Sequence, residues 1–248
     1  MTSAFIPNAF PMKLHLTFRY VVAFLLLNLL VSELHELAHL AIGGLVCGCY
    51  GPRDFNAWHS CTACANPEMI NLSAAAGPLW SYAMMWVGVL GLRSGNATRQ
   101  ALGFSVLFAA LPFARIITVL MGGGDELVIV RRLVPDGASV QLYKWLMTGL
   151  VLVLAGTPLV LAYRRVRNAR PGLWIAGFAV GPLLFQALYL FQLMNGLLHR
   201  GVLADSWLLG THVLIWLHTA VVATLLLYFR RFLLHLTAPA KEPVLVTA

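Results

Sequence analysis

Residues 18–46 read FRYVVAFLLLNLLVSELHELAHLAIGGLV, and this stretch decides the class of fold. It is mostly apolar and longer than the roughly 20 helical residues that cross a hydrocarbon core of about 30 Å. A helix also satisfies its backbone hydrogen bonds within one segment, as lipid requires. The stretch therefore predicts a membrane-spanning helix. Five further apolar runs predict the same structure, at residues 69–92, 101–121, 140–163, 172–197 and 207–229.

The composition of the whole chain agrees with a membrane protein. Of its 248 residues, 60% are hydrophobic and 10% are charged, and the mean hydropathy is +0.80. A soluble domain of this length needs more charge to cover its surface. We predict an all-α polytopic membrane protein with about six transmembrane helices, in a single membrane domain over residues 1–248. Within it, residues 18–135 form a core of three spans, residues 140–229 three further spans, and residues 230–248 a tail.

Basic residues collect at the ends of the predicted spans, which explains the formal net charge of +8 without nucleic acid as a partner. Contacts with lipid headgroups and topology signals account for such a pattern. If the N-terminus is cytoplasmic, eleven basic residues lie inside: Lys13, Arg19, Arg93, Arg99, Arg164, Arg165, Arg167, Arg170, Arg230, Arg231 and Lys241. Five lie outside: Arg53, Arg131, Arg132, Lys144 and Arg200. The positive-inside rule therefore predicts two cytoplasmic termini, and we expect a bacterial inner membrane.

All four cysteines lie in one segment between the first two spans, CGCYGPRDFNAWHSCTAC at residues 47–64. The predicted topology places this segment outside, where an even number of cysteines indicates disulfides. The alternative is a second metal site, because the spacing of Cys47, Cys49, Cys61 and Cys64 also suits metal ligands. The orientation decides between them: disulfides are favoured outside the membrane, and metal binding is favoured inside the cell.

The first span contains the sequence His35-Glu36-Leu37-Ala38-His39, which is an HExxH motif. Residues four apart share one side of a helix, so both imidazoles can bind one ion. Glu36 is placed to take a proton from a water molecule activated by that ion. Ionisable side chains in a bilayer core cost several kcal/mol unless they have partners or water. The alternative is a polar helix stripe that contacts another span, but a metal site accounts better for the motif.

A third ligand must come from elsewhere in the chain, and the chain contains four aspartates: Asp54, Asp125, Asp136 and Asp205. Asp125 follows three glycines after the third span, in the sequence MGGGDE at residues 121–126. Glycines free the backbone, so this short side chain could turn back towards the metal. A solvated turn after a helix would explain the same residues equally well, and the pattern alone leaves both interpretations open.

Three segments together resemble the site-two protease family of intramembrane zinc metalloproteases. They are the HELAH helix, NLSAAAGP at residues 71–78, and Leu111-Pro112 followed by Gly124-Asp125. The resemblance covers roughly the first 135 residues. It departs from the family at Ala109 and Ala110, where an Asn is usual, and at Glu126, where a Gly usually follows the Asp.

The resemblance implies one Zn²⁺ per chain, bound by His35, His39 and Asp125, with Glu36 as the general base. It further implies hydrolysis of peptide bonds in or near transmembrane segments of membrane-protein substrates. It makes residues 18–135 the catalytic core, and it suggests that Asn71, Gly77 and Pro78 belong to an element for substrate access.

Two further charged residues of the spans are candidates for supporting the site. Glu33 is expected either to contact a ligand imidazole or to cap a polar cavity. Arg115 lies within the third span, and we expect it to pair with Glu33 or to face a water-filled cleft. The alternative function is a non-catalytic metal-binding membrane protein, either a transporter or a substrate-holding pseudoprotease. The sequence predicts a lipid bilayer as the surroundings and leaves the oligomeric state open.

Overall fold

The computed structural model describes residues 12–134 and 137–237. Within these two ranges the chain is helical, with isolated β-bridges and no β-strand. Asp136, Lys241 and residues 238–248 of the predicted tail lie outside the described residues. The all-α class predicted from the sequence is therefore confirmed.

Six helical segments of the described chain are long and apolar enough to cross a membrane, which confirms the predicted number of spans. Their bounds are Phe18–Cys47, Pro67–Leu92, Ala97–Leu120, Val140–Arg165, Pro171–His199 and Val213–His235. The last differs most from its predicted range of 207–229. Residues 208–210 form a separate turn in which Leu209 adopts a φ of 55°, and hydropathy alone does not distinguish this apolar turn from the helix.

The helices are named in chain order. They are α1 (Phe18–Cys47), α2 (Ile70–Leu92), α3 (Ala97–Ala109), α4 (Pro112–Leu120), α5 (Asp125–Leu133), α6 (Ala138–Arg165), α7 (Pro171–Gln186), α8 (Asn195–His199) and α9 (Val213–Phe229). A π-helical segment, Ala187–Met194, joins α7 to α8. Short 3₁₀ helices occupy Pro67–Met69, Leu208–Gly210 and Arg230–His235.

Helix α1 lies at the centre of the bundle and packs against α2, α3 and α9. It begins where the Thr17 hydroxyl accepts a hydrogen bond from the Tyr20 amide, and Gly48, which has a φ of 71°, caps its C-terminal end. Buried polar residues of α1 extend from Asn28 to His39. Because such side chains need partners inside a membrane, the helices and loops that surround α1 must supply them.

The third span is broken between α3 and α4, a feature that the continuous apolar run at 101–121 did not predict. Leu111 has a φ of 54°, a left-handed conformation that costs a non-glycine residue roughly 1–2 kcal/mol. Pro112 follows it and disfavours the helical conformation at Leu111. The freed carbonyl of Ala109 accepts a hydrogen bond of 2.9 Å from Asn28 Nδ2. Gln186 in turn donates to Asn28 Oδ1 at 2.9 Å, so α1 and α7 stabilise the break.

Glycines allow α2 and α3 to approach each other at backbone distance. A Cβ atom added to Gly103 would lie 2.6 Å from the carbonyl oxygen of Gly88 and 2.8 Å from Gly91. Real Cβ atoms do not approach backbone so closely, and the two helices would have to separate.

We expect Gly103→Ala to destabilise the protein by about 1–3 kcal/mol, because one methyl group overpacks this contact. Thermal unfolding in detergent measures the change. Gly149→Ala is the matched control, since a Cβ atom there meets nothing within 4 Å and alanine favours the helix. Equal melting temperatures for the two variants would contradict the close packing of α2 and α3.

Candidate metal centre

His35 and His39 lie one turn apart on the buried side of α1. Their rings meet edge to face, with centroids 4.8 Å apart. The two Nε2 atoms are 3.1 Å apart, which places two potential donor atoms side by side. The helical spacing predicted from the HExxH motif is therefore present in the structure.

Residues of helix α2 form hydrogen bonds with the other nitrogen, Nδ1, of each histidine ring. His39 Nδ1 donates to the carbonyl oxygen of Ser73 at 2.7 Å, and His35 Nδ1 is hydrogen-bonded to Ser81 Oγ at 2.9 Å. The Ser73 hydroxyl also donates to the backbone oxygen of His39. With its Nδ1 protonated, neutral His39 carries a lone pair on Nε2, as a metal ligand requires.

Gly77 brings α2 into direct contact with both imidazoles. A Cβ atom at this position would lie 2.2 Å from His39 Nε2 and 2.7 Å from His35 Nε2. Any larger residue would therefore occupy space beside the two donor atoms. This steric role differs from the substrate-access role that the family resemblance implies for Gly77 and Pro78, which stays a prediction.

Asp125 reaches the histidines from the first turn of α5. Gly122 and Gly124 precede it with φ values of 79° and 84°, a conformation that side chains disfavour. Asp125 Oδ2 lies 3.4 Å from His35 Nε2 and 3.7 Å from His39 Nε2. Of the two interpretations of this aspartate, the structure thus shows the turn back towards the histidines.

These three residues form one group that could hold a metal ion, with donor atoms within 4.8 Å of one another. Two ligand atoms bound at 2.0–2.1 Å to a tetrahedral ion are separated by about 3.3 Å. The observed separations of 3.1, 3.4 and 3.7 Å bracket that value. Two histidine nitrogens and one carboxylate oxygen also leave a coordination position free, as in catalytic zinc sites. The donor set therefore fits zinc.

Arg115 holds Asp125 from the other side. Its Nη1 donates to Asp125 Oδ2 at 2.8 Å and lies 3.6 Å from Glu126 Oε1. Tyr82 donates to the same Glu126 oxygen at 2.6 Å. Of the two expectations for Arg115, the pair with Glu33 is wrong, because Glu33 pairs with Arg53, whereas Arg115 does line a cavity. The aspartate that follows Arg115 by ten residues is the nearer partner.

The surroundings of Asp125 favour its ionised form. Burial raises the pKa of its carboxyl group, but the polar contacts with the His35 and His39 rings and the charge of Arg115 outweigh this effect. The net result is a pKa well below the usual range of an aspartate. An ionised carboxylate is the form that binds a metal.

Glu36 is buried on α1, beside the first histidine, and lines a cavity. Its Oε2 atom has no hydrogen-bond partner among the described residues. A buried, unpartnered carboxylate oxygen needs a water molecule, a proton or a ligand. Glu36 is thus available for proton transfer in the cavity.

The cavity that contains this site has a volume of about 680 Å³. Helix α1 forms one wall, and the break at Ala110 and Leu111 forms another. The π-helical segment contributes Leu190 and Phe191, and the chain between α1 and α2 contributes residues 55–60. π-Helical turns often occur at functional sites, but neither this segment nor Trp58 was predicted. The intramembrane amides Asn28 and Gln186 were the available signal for the fifth span, whereas nothing in the sequence indicated Trp58.

Asn71, the remaining residue of the resemblance, lies in the first turn of α2. Its Oδ1 atom is buried without a hydrogen-bond partner in the described part of the chain. It does not line the cavity, and its role in substrate access stays a prediction.

The four cysteines are joined in two pairs near the C-terminal end of α1. Cys47 is bonded to Cys64, and Cys49 to Cys61. Sulfur atoms bonded in this way offer no thiolate to a metal, so this structure does not arrange them as a second metal site.

Comparisons of the chain with protein-family models, curated proteins and solved structures found no match. The geometry of the site is therefore the basis for its chemistry.

Proposed function

We propose that this protein is an intramembrane zinc metalloprotease of the site-two protease type, which hydrolyses peptide bonds in or near transmembrane segments of membrane proteins. One observation carries the proposal. His35 Nε2, His39 Nε2 and Asp125 Oδ2 converge at 3.1–3.7 Å, and Glu36, whose Oε2 atom has no hydrogen-bond partner among the described residues, lines the adjoining cavity. Ligands for one zinc ion and a general base are the parts that this hydrolysis requires.

A zinc ion bound here would polarise the scissile carbonyl and make water more acidic. Glu36 accepts the proton of the attacking water on its carboxylate and then delivers it to the nitrogen of the leaving amine. Arg115 holds Asp125 in place, and Ser73 and Ser81 hold the imidazoles. These contacts keep the ligands oriented through the reaction.

The cavity suits an unwound peptide better than a helix. A helix occupies its carbonyl oxygens in internal hydrogen bonds and is about 10 Å wide with its side chains. The cavity lies between α1, α4 and the π-helical segment and has a volume of about 680 Å³. This volume has room for a few extended residues. We therefore propose that a substrate segment unwinds locally before cleavage.

The site lies in the half of α1 that ends at the disulfides. His39 precedes Cys47 by eight residues, or about 12 Å along the helix, whereas Thr17 and Arg19 mark the opposite end. Disulfides belong to an oxidising compartment, and basic residues concentrate at the opposite ends of the spans. Both features support cytoplasmic termini in a bacterial inner membrane, with the metal centre nearer the outer surface.

Metal transport is the less favoured alternative. A transport path needs several intramembrane sites along the bundle, whereas residues 12–134 and 137–237 bring together a single group of three metal-ligating side chains. A pseudoprotease is also disfavoured, because Glu36 stands intact beside both histidines.

Zinc content tests the ligand set directly. We expect about one zinc per chain in the purified wild type, almost none in His39→Ala, and weakened binding in Asp125→Asn. The neutral amide keeps the shape of the carboxylate but removes its charge. Elemental analysis after dialysis against a chelator series measures both effects.

His199→Ala and Asp205→Asn are the matched controls, since both side chains are exposed and neither lines the cavity. They should keep the wild-type zinc content. A well-folded wild type that binds no zinc, or a His39→Ala protein that retains it, would overturn the proposed function.

A further inference from the structure

The chain between α1 and α2 covers the metal centre, and we call residues 48–66 the cysteine loop. The disulfides Cys47–Cys64 and Cys49–Cys61 close its base. Residues 55–60 reach the cavity and form part of its wall. The disulfides join the ends of the loop to each other, so other contacts must fix the position of its tip against the spans.

Arg53 makes such a contact and is 1% exposed. Its guanidinium group forms an ion pair with Glu33 of α1, and its Nε donates to Thr211 Oγ1 at 3.1 Å. Glu33 and Thr211 are both buried. Glu33 precedes the ligand His35 by two residues, so Arg53 joins the loop to α1 beside the metal centre and to the start of the last span.

Trp58 lies in the same part of the loop and stacks on a ligand. Its ring centroid is 5.2 Å from that of His39, with the planes 19° apart. One face of the His39 ring is therefore covered by the indole ring. Such a contact limits rotation of the imidazole and excludes water from that side.

Short-range hydrogen bonds make Arg53 and Trp58 one rigid unit. The two residues form an antiparallel bridge, and the Asp54 amide donates to the Ala57 oxygen at 3.0 Å. Asp54 Oδ1 accepts from the amides of Asn56 and Ala57 at 2.8 Å. A shift of Arg53 would therefore be transmitted to Trp58.

Asn195 provides a second attachment on the far side of the loop. Its Oδ1 accepts from the Phe55 amide at 3.0 Å, and its Nδ2 donates to Asn56. This attachment faces the π-helical segment, whereas the attachment through Arg53 faces α1. Loss of Arg53 should consequently release the loop from the metal centre without detaching it from the bundle.

We propose that Arg53 is a positioning residue of the metal centre. Through its ion pair with Glu33 and its hydrogen bond to Thr211, it holds Trp58 against His39 and so fixes the ligand imidazole. The inference rests on the proposed function, because it assumes a metal bound at His35, His39 and Asp125.

Cobalt binding tests the inference without any substrate. Co²⁺ added to the zinc-free wild type should quench the part of the tryptophan fluorescence that comes from Trp58, because open-shell ions quench nearby indoles. Trp58→Phe should bind Co²⁺ but lose this quenching. Arg53→Gln should reduce the quenching at saturating Co²⁺ and raise the dissociation constant about tenfold, a usual effect of losing support for a ligand.

Two milder variants test the same contacts in case Arg53→Gln does not fold. Arg53→Lys keeps the charge opposite Glu33 and should restore most of the quenching, whereas Thr211→Val removes one hydrogen bond and should weaken it. Arg200→Gln, at an exposed position, is the control. If Arg53→Gln misfolds, as judged by circular dichroism, Thr211→Val and Arg53→Lys decide the matter.

The outcomes separate the two proposals. Wild-type quenching and affinity in Arg53→Gln and Thr211→Val, with Co²⁺ bound, would overturn the role of Arg53 and leave the metalloprotease intact. A well-folded wild type that binds neither Co²⁺ nor zinc would overturn the metal centre, and with it the positioning role.

Discussion

Replacing Glu36 by Gln should lower the rate of peptide hydrolysis by about 10²–10⁴-fold while zinc remains bound. Glutamine has nearly the same shape as glutamate but cannot accept a proton from water. The metal ligands are on other residues, so the zinc content should stay at the wild-type value. The protein can be reconstituted in liposomes with a library of transmembrane peptides, and the cleavage products can be identified by mass spectrometry.

Glu68→Gln is the control for this variant, because Glu68 is an exposed glutamate in the short helix before α2. It should cleave like the wild type. Undiminished cleavage by a zinc-loaded Glu36→Gln protein would refute the assignment of Glu36 as the general base. Loss of both zinc and cleavage would instead show that Glu36 supports the metal site.

The second large effect is expected from Gly77→Ala. The added methyl group would lie 2.2 Å from His39 Nε2 and 2.7 Å from His35 Nε2, closer than real Cβ contacts. To relieve the clash, α2 must move outwards or the imidazoles must rotate, and either change spoils the ligand geometry. We expect zinc affinity to fall at least about tenfold, measured by competition with a chromogenic chelator.

Gly177→Ala adds the same methyl group to another membrane helix, where it meets nothing within 4 Å. Its zinc affinity should equal that of the wild type. If Gly77→Ala also binds zinc like the wild type, then α2 does not lie as close to the histidines as the structure places it.

The spans and the two histidines could be predicted from the sequence because each is a local property. Hydropathy over about 20 residues identifies a span, and a spacing of four places His35 and His39 on one side of a helix. Glu36 follows from its position in the same motif. These features depend on neighbours along the chain and not on distant packing.

The remaining parts of the site depend on contacts between distant segments. The sequence favoured neither a metal ligand nor a solvated turn at Asp125. Only the packing of α5 against α2 shows where its side chain points. Arg115 was assigned the wrong partner because Glu33 is engaged by Arg53 from the cysteine loop. Trp58 gave no local signal, since its contact with His39 arises from the folding of that loop.

The wide helical turn in the fifth span has a consequence for how the chain tolerates insertions and deletions. Gln186 and Asn195 are nine residues apart, which in a regular α-helix is about two and a half turns and would place them on opposite faces. The π-helical segment between them has more residues per turn, so Gln186 can reach α1 while Asn195 reaches the cysteine loop. Removing one residue from this segment would rotate α8, which follows it, relative to α7, which precedes it. Either Gln186 or Asn195 would then face lipid. Over evolution, the length of this segment should therefore vary less than the lengths of the loops around it.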